Sequence, residues 1–362
     1  MKLPPLKIKD LEIQLPIIQG GMGAGVSGYC LAGTVSKEGG LGVISSVALD
    51  KIIFLRKNQK LSAREATAVE VQDAKELSQG KPVGINIMVA LQSQYEDAVL
   101  GALDGGVDVI ISGAGLPLRL PEIVDSHPNK DKVKLIPIVS SARVFDLICK
   151  RWKRTNRLPD AVVVEGPLAG GHIAWRTIEE AELPSNSLEN LVKEVLETAK
   201  IYNIPVIAAG GIFTHEDIVK YMEMGCAGVQ IGTRFLTTYE SGASEEFKQA
   251  VINCKKEDVI LADKPGSPCG LLFRVIKNCP FYEEALANAR PIKCDRGYLL
   301  INGKCLAKEN SEEAFCICNG LLSAINANDN PNEKGLYSVG SNAYRIDKIS
   351  SVAEIMKELS GE

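Results

Sequence analysis

A chain of 362 residues has room for two average domains, or for one large α/β barrel with an extension. Its composition, 45% hydrophobic and 24% charged with 33 glycines and 5% aromatics, is that of a globular protein with a full core and many βα loops. A net charge of −4 excludes a general nucleic-acid binder, and no window reaches the ~20 apolar residues of a membrane span.

The N-terminus, with Lys2, Lys7, Lys9 and Asp10, carries no secretory signal, so the expected location is cytoplasmic with reduced cysteines. Residues 7–15 alternate as an amphipathic strand or hairpin able to plug a barrel bottom. Eight near-continuous apolar runs follow: 16–19, 41–45, 83–88, 108–112, 135–139, 161–165, 205–209 and 228–232. Rich in Val and Ile, they read as strands buried on both faces. Helical segments at 62–79, 94–105, 142–154, 188–202 and 215–224 lie between them. The basic run at 150–157 reads as the solvated end of one helix. Strands alternating with helices give a parallel sheet, and eight units are the count of a (β/α)8 TIM barrel; an open doubly wound sheet is the rival.

The expected organisation is therefore a barrel over 1–240 and an extension over 241–362. The latter has helices near 243–253 and 352–359 and an irregular, cysteine-rich stretch between them.

Two glycine-bearing segments stand where barrels often bind phosphate, after the seventh and eighth strands: Gly210-Gly211 and Gln230-Ile231-Gly232-Thr233. Glycine lets backbone N–H groups approach phosphate oxygens, and Thr233 adds a hydroxyl before the next helical stretch. Gly23–Gly28 formally matches a dinucleotide fingerprint. However, the second strand ends in Ser45-Ser46 rather than an acid, so a loop lying against a flat ring is the better reading.

Of three histidines, His127 and His215 read as surface residues. His172 follows the sixth strand at the rim where barrels place catalysis, and its imidazole can take or give a proton near neutral pH. Neither a Ser-His-Asp arrangement nor a His-built metal centre is present.

Together, Pro16–Met22, Gly84-Ile85-Asn86, Glu165-Gly166 with Ala169–His172, Ala208–Ile212 and Gly228–Thr233 resemble the nitronate monooxygenase family, which includes the FMN-dependent enoyl-ACP reductase II. Ser267–Gly270 with Arg274 and Asn278 resembles its post-barrel segment, and the likeness covers about residues 5–280. The resemblance implies a flavin oxidoreductase with FMN on Gly21, Met22, Asn86, Glu165, Gly170, Gly210, Gly211, Gln230, Ile231, Gly232 and Thr233, and with His172 catalytic. The chain departs from the family at Pro167-Leu168-Ala169, where a carboxylate is commonly found before Gly-Gly-His.

The implied activity is oxidation of alkyl nitronates. NAD(P)H-dependent reduction of an enoyl thioester or quinone is the redox alternative, and a phosphate-binding isomerase or lyase the non-redox one. The partner is a small molecule, neither nucleic acid nor membrane; a homodimer is an open arrangement. Cys294, Cys305, Cys316 and Cys318 present four thiols in a spacing that matches neither zinc ribbons nor ferredoxins. Incidental thiols are the leading reading, with zinc or an iron–sulfur cluster the alternative.

Overall fold

The structure is a computed structural model that describes residues 3–289, 297–298, 304–310, 312–330 and 332–362. Strands β1 (Leu6–Ile8) and β2 (Leu11–Ile13) form an antiparallel hairpin. The next six strands are β3 (Ile17–Gln19), β4 (Leu41–Ser45), β5 (Val83–Met88), β6 (Val109–Gly113), β7 (Lys134–Val139) and β8 (Val162–Glu165). Then come β9 (Gly171–His172), β10 (Val206–Ala209), β11 (Gly228–Ile231), β12 (Val259–Ala262) and β13 (Phe273–Ile276).

Strands β3–β8, β10 and β11 close into an all-parallel barrel, with β11 pairing β3 and β10 pairing β8. Closure removes the doubly wound alternative. Each strand lies within one residue or so of an apolar run read from the sequence. The reason is physical: strands buried on both faces need no polar alternation, so their ends are marked by turn residues.

Inside the barrel, Ile18, Val43, Ile111, Ile136, Val163 and Ile207 pack together with Leu6, Ile8 and Ile13, so the hairpin plugs the bottom of the barrel. Outside, the helices bury their apolar faces against the same strands. Helix Tyr29–Lys37 lies so close to β4 that a Cβ on Gly42 would stand 1.7 Å from the Ala32 carbonyl oxygen. Helices Ala63–Leu77, His215–Glu223 and Val352–Ser360 begin at Ser62, Thr214 and Ser351, each closing a capping box with the acid three residues on. Such a cap contributes about 1 kcal/mol.

The segment after the barrel is more ordered than its sequence suggests. β12 and β13 form an antiparallel pair, and β13 also pairs with β9 in the loop after β8. The helix Ile317–Ser323 lies within a second core around Phe247, Phe273, Phe281 and Phe315. These strands escaped notice because Pro265, Pro268 and Pro280 and the neighbouring glycines dominate the local pattern. The last helix, Val352–Ser360, returns to the barrel core through Val352, Ile355, Met356 and Leu359.

Two histidine readings need correction. His127 is half-buried, with Nε2 3.0 Å from Asp104 and Nδ1 accepting from the Asn129 N–H. His215 is likewise half-buried, its Nδ1 3.0 Å from the Leu359 carbonyl. Both secure helix ends. In the basic run, Lys153–Asn156 is exposed, but Trp152 is fully buried and Arg157 donates to the carbonyls of Lys130 and Val133. No described helix is long and apolar enough to cross a membrane.

Candidate active site

At the C-terminal mouth of the barrel lies a cavity of about 720 Å³, within the ~300–1,000 Å³ of ordinary ligand pockets. Its wall includes Gly21 and Met22 after β3, Asn86 on β5, Glu165 at the end of β8, Gly170 and His172 beyond it, Gly210 and Gly211 after β10, and Gln230–Thr233 at the end of β11. All the residues that the resemblance assigns to FMN, and His172, thus face one space.

Register explains the deep end. Ala209 pairs with Glu165 on one side and Gln230 on the other, so the three side chains leave the sheet on the same face. Among the described residues Glu165 meets no hydrogen-bond donor or counter-charge, and burial lifts its carboxyl to about 7. Gln230 keeps a buried Oε1 with no partner among the described residues. The loop after β3 is held from behind by the Ser27 hydroxyl, which accepts from the Met22 N–H at 2.9 Å.

Gly210 and Gly211 adopt φ of +101° and +82°, a region that side-chain-bearing residues avoid, and this conformation sharpens the turn after β10. Their neighbours come from far away in sequence. The Gly340 N–H donates to Thr233 Oγ1 at 2.8 Å, and Asn342 Nδ2 donates to the Gly211 carbonyl at 2.6 Å. A Cβ on Gly170 would stand 2.7 Å from the Gly340 nitrogen, so the loop after β8 and the 338–342 segment meet backbone to backbone. Sequence reasoning missed Gly340, Ser341 and Asn342, which line the same cavity; the only signal was a Gly-Ser-Asn triplet within a stretch read as irregular. Among the described residues the lining contains no Lys or Arg, so an anion meets backbone amides, hydroxyls and His172 there.

His172 is positioned by strand pairing. Opposite it, Phe273 presents its ring edge-on at 4.7 Å and 71°. Nε2 of His172 lies 2.7 Å from Ser267 Oγ. Behind the loop, buried Arg274 donates to the carbonyls of Ala169 (3.0 Å) and Pro167 (2.6 Å), and burial, only partly offset by the charge of Glu182, brings its guanidinium down to about 10. Leu168, at the departure from the family pattern, is half-exposed and leans over Gly211.

The family model described as nitronate monooxygenase matches residues 5–362. The chain belongs to the nitronate monooxygenase family. A "probable nitronate monooxygenase" of Staphylococcus aureus (strain Newman) is 31% identical over 297 residues, covering 76% of this chain and 78% of the relative. One from Staphylococcus haemolyticus is 29% identical over 282 residues, with 70% and 74% covered. Among solved structures, FabK from Thermotoga maritima superposes with a TM-score of 0.68 at 26% identity, over 96% of this chain and 92% of that one. Nitroalkane oxidase from Streptomyces ansochromogenes shares the fold at 20% identity and a TM-score of 0.68, over 98% and 97%.

The nitronate monooxygenase match runs to Glu362, beyond the 5–280 span drawn from the motifs. That extent is intelligible, because 338–342 completes the cavity wall. In this chain the cavity wall is thus built from the barrel loops together with the 338–342 segment. The cysteine cluster contributes differently: Cys318 lines the cavity, Cys294 lies outside the described residues, and no group of three metal-holding side chains occurs among the described residues.

Proposed function

We propose that this chain binds FMN in the barrel-mouth cavity and oxidises alkyl nitronates, with His172 as the proton-handling residue. The observation that carries the reading is the placement of His172 on the wall of the cavity that the Gly210-Gly211 and Gly232-Thr233 loops also line. The residues present fit the cofactor. The glycine loops and the Thr233 hydroxyl suit a phosphate, Gln230 offers an unpaired buried acceptor to the ring's imide N–H, and the Gly21-Met22 loop with Asn86 would flank the ring. When bound, FMN supplies the electron acceptance that no side chain here can provide.

The chain's own contribution is position and protons. The His172 imidazole can take the α-proton of a nitroalkane or steady the nitronate anion, in a cavity whose described lining holds no Lys or Arg. Arg274 holds the carbonyls of Pro167 and Ala169, and with them the approach of His172 to substrate. The names of the staphylococcal relatives support the nitronate reading.

A second reading, NAD(P)H-dependent reduction of an enoyl thioester or quinone, is favoured by the apolar side of the cavity, where Phe247, Ile317, Leu321 and Leu322 face inward. Anaerobic mixing of flavin-loaded protein with a nitronate or with NAD(P)H separates the two. Bleaching of the flavin by nitronate supports the first, whereas rapid bleaching by NADPH alone overturns it. A reconstituted protein that stays colourless overturns both.

A further inference from the structure

Behind His172, away from the glycine loops, the turn Ser267–Gly270 closes on a hydrogen bond from the Gly270 N–H to the Ser267 carbonyl, 3.0 Å. Gly266, just before it, is clamped to the C-terminal segment, donating to the Glu313 carbonyl at 2.9 Å and accepting from the Phe315 N–H at 3.0 Å. The turn presents two side chains to one place. Ser267 Oγ, on a residue 3% exposed, lies 2.7 Å from His172 Nε2 and 3.1 Å from Cys269 Sγ. Cys269 itself is only half-buried. The buried Ser267 hydroxyl thus lies within hydrogen-bond reach of both the cavity-wall histidine and the sulfur of a half-buried cysteine.

We propose that Ser267 and Cys269 are positioning residues for His172: the Ser267 hydroxyl orients the imidazole, and the Cys269 sulfur exchanges protons with it through that hydroxyl. The inference rests on the proton-handling role given to His172 above. In the transfer, the imidazolium Nε2–H passes its proton to Ser267 Oγ as the Ser267 proton moves to the Cys269 thiolate. The imidazole ends neutral, the sulfur ends as a thiol, and nothing is oxidised. The thiol then returns its proton to water, restoring the acceptor without opening the cavity.

The electrostatics agree with the geometry. Burial works to raise the Cys269 thiol, but the hydrogen bond and charge of His172, the Ser267 hydroxyl and the Leu271 N–H outweigh it and bring it down to about 7. The contrast within the chain is clear: burial pushes Cys149 and Cys226 up to about 12 and Cys254 up to about 11. The other charged groups around the turn are otherwise engaged. Asp263 and Lys264 are exposed, Lys264 pairs with Glu313 at 3.8 Å, Arg274 serves the loop carbonyls, and Glu165 lies on the barrel side of the cavity. A thiol in this state exchanges protons near neutral pH, whereas an ordinary one is protonated there.

The test reads the sulfur directly. Full-length protein is alkylated with iodoacetamide across a pH series, and Cys269 labelling is followed by peptide mass spectrometry in wild type, His172→Asn and Ser267→Ala. The expected result is an inflection near 7 in wild type, at least tenfold slower labelling at neutral pH in His172→Asn, and an intermediate loss in Ser267→Ala. An inflection near 9 in wild type, or one unmoved by His172→Asn, overturns the relay whatever the substrate proves to be. In turnover, Cys269→Ala is expected to lower kcat about tenfold with KM unchanged and to shift the pH profile, while Ser267→Thr recovers most of what Ser267→Ala loses. A Cys269→Ala profile superimposable on wild type refutes the relay and leaves the role of His172 standing. If nitronates are not substrates, the labelling series still decides.

Discussion

Replacing Glu165 with Gln removes a carboxyl that has neither a donor nor a counter-charge among the described residues, and the resulting stability change depends on pH in a direction fixed in advance. Burial lifts the group from 4.5 to about 7, so the folded chain keeps a proton that the unfolded chain has already lost. Because the folded value is raised, this group's contribution is fully present below about pH 4.5 and is lost as pH rises through about 7. A displacement of that size is worth about 3 kcal/mol at ~1.36 kcal/mol per pH unit, and water in the open cavity lowers it to about 1–2 kcal/mol. Glutamine keeps the shape and carries no titrating proton. The variant should therefore gain about 1–2 kcal/mol on wild type between about pH 5 and pH 8. Urea unfolding of flavin-free protein at the two pH values measures this. Equal differences at both, or a variant that loses ground toward pH 8, would refute the claim that the carboxyl stands unpaired.

The glycines of the cavity divide into two classes that mutation can separate. A Cβ on Gly232 would meet nothing closer than Met22 at 3.6 Å, so apo protein carrying Gly232→Ala should keep its stability within about 0.5 kcal/mol while visible-range flavin absorbance after reconstitution falls. Gly210→Ala forces a side chain into φ +101°, 2.9 Å from the Gly166 carbonyl oxygen; it should cost about 1–3 kcal/mol in urea unfolding even without ligand. His172→Asn should lower turnover about 10²–10⁴-fold with the flavin spectrum intact, as expected when a proton-transfer group is removed but the cofactor's contacts are not. Arg274→Met leaves the carbonyls of Pro167 and Ala169 without their donor, which should cost about 2–4 kcal/mol and make the 167–172 loop sensitive to limited proteolysis.

The barrel was readable because each of its signals is local. Eight Val- and Ile-rich runs and the capping residues Ser62, Thr214 and Ser351 act within a few positions of themselves, and so do Gly210 and Gly211. His172 was readable by its place after the sixth run. What escaped depends on contacts between residues remote in sequence. The two-residue β9 has no alternation to betray it and exists because Phe273, a hundred positions later, pairs with it. Gly340 and Asn342 matter only because the chain happens to lay them against Thr233 and Gly211. Cys269 looked like one more thiol in a cysteine-bearing segment. Its distinction comes from Ser267 and a histidine 97 positions earlier, a relation that no spacing rule contains.

The contact between Thr233 and Gly340 also has a bearing on how the protein is made. A ribosome delivers the barrel strands before the 338–342 segment, and helix Val352–Ser360 after both. Between Ile231 and residue 338 all eight barrel strands are present but the 338–342 part of the cavity wall is not. Ligand capture therefore waits until residues 338–342 have been made, and a message broken shortly before codon 338 yields a chain that holds every glycine loop of the barrel but lacks the segment that Thr233 and Gly211 pair with.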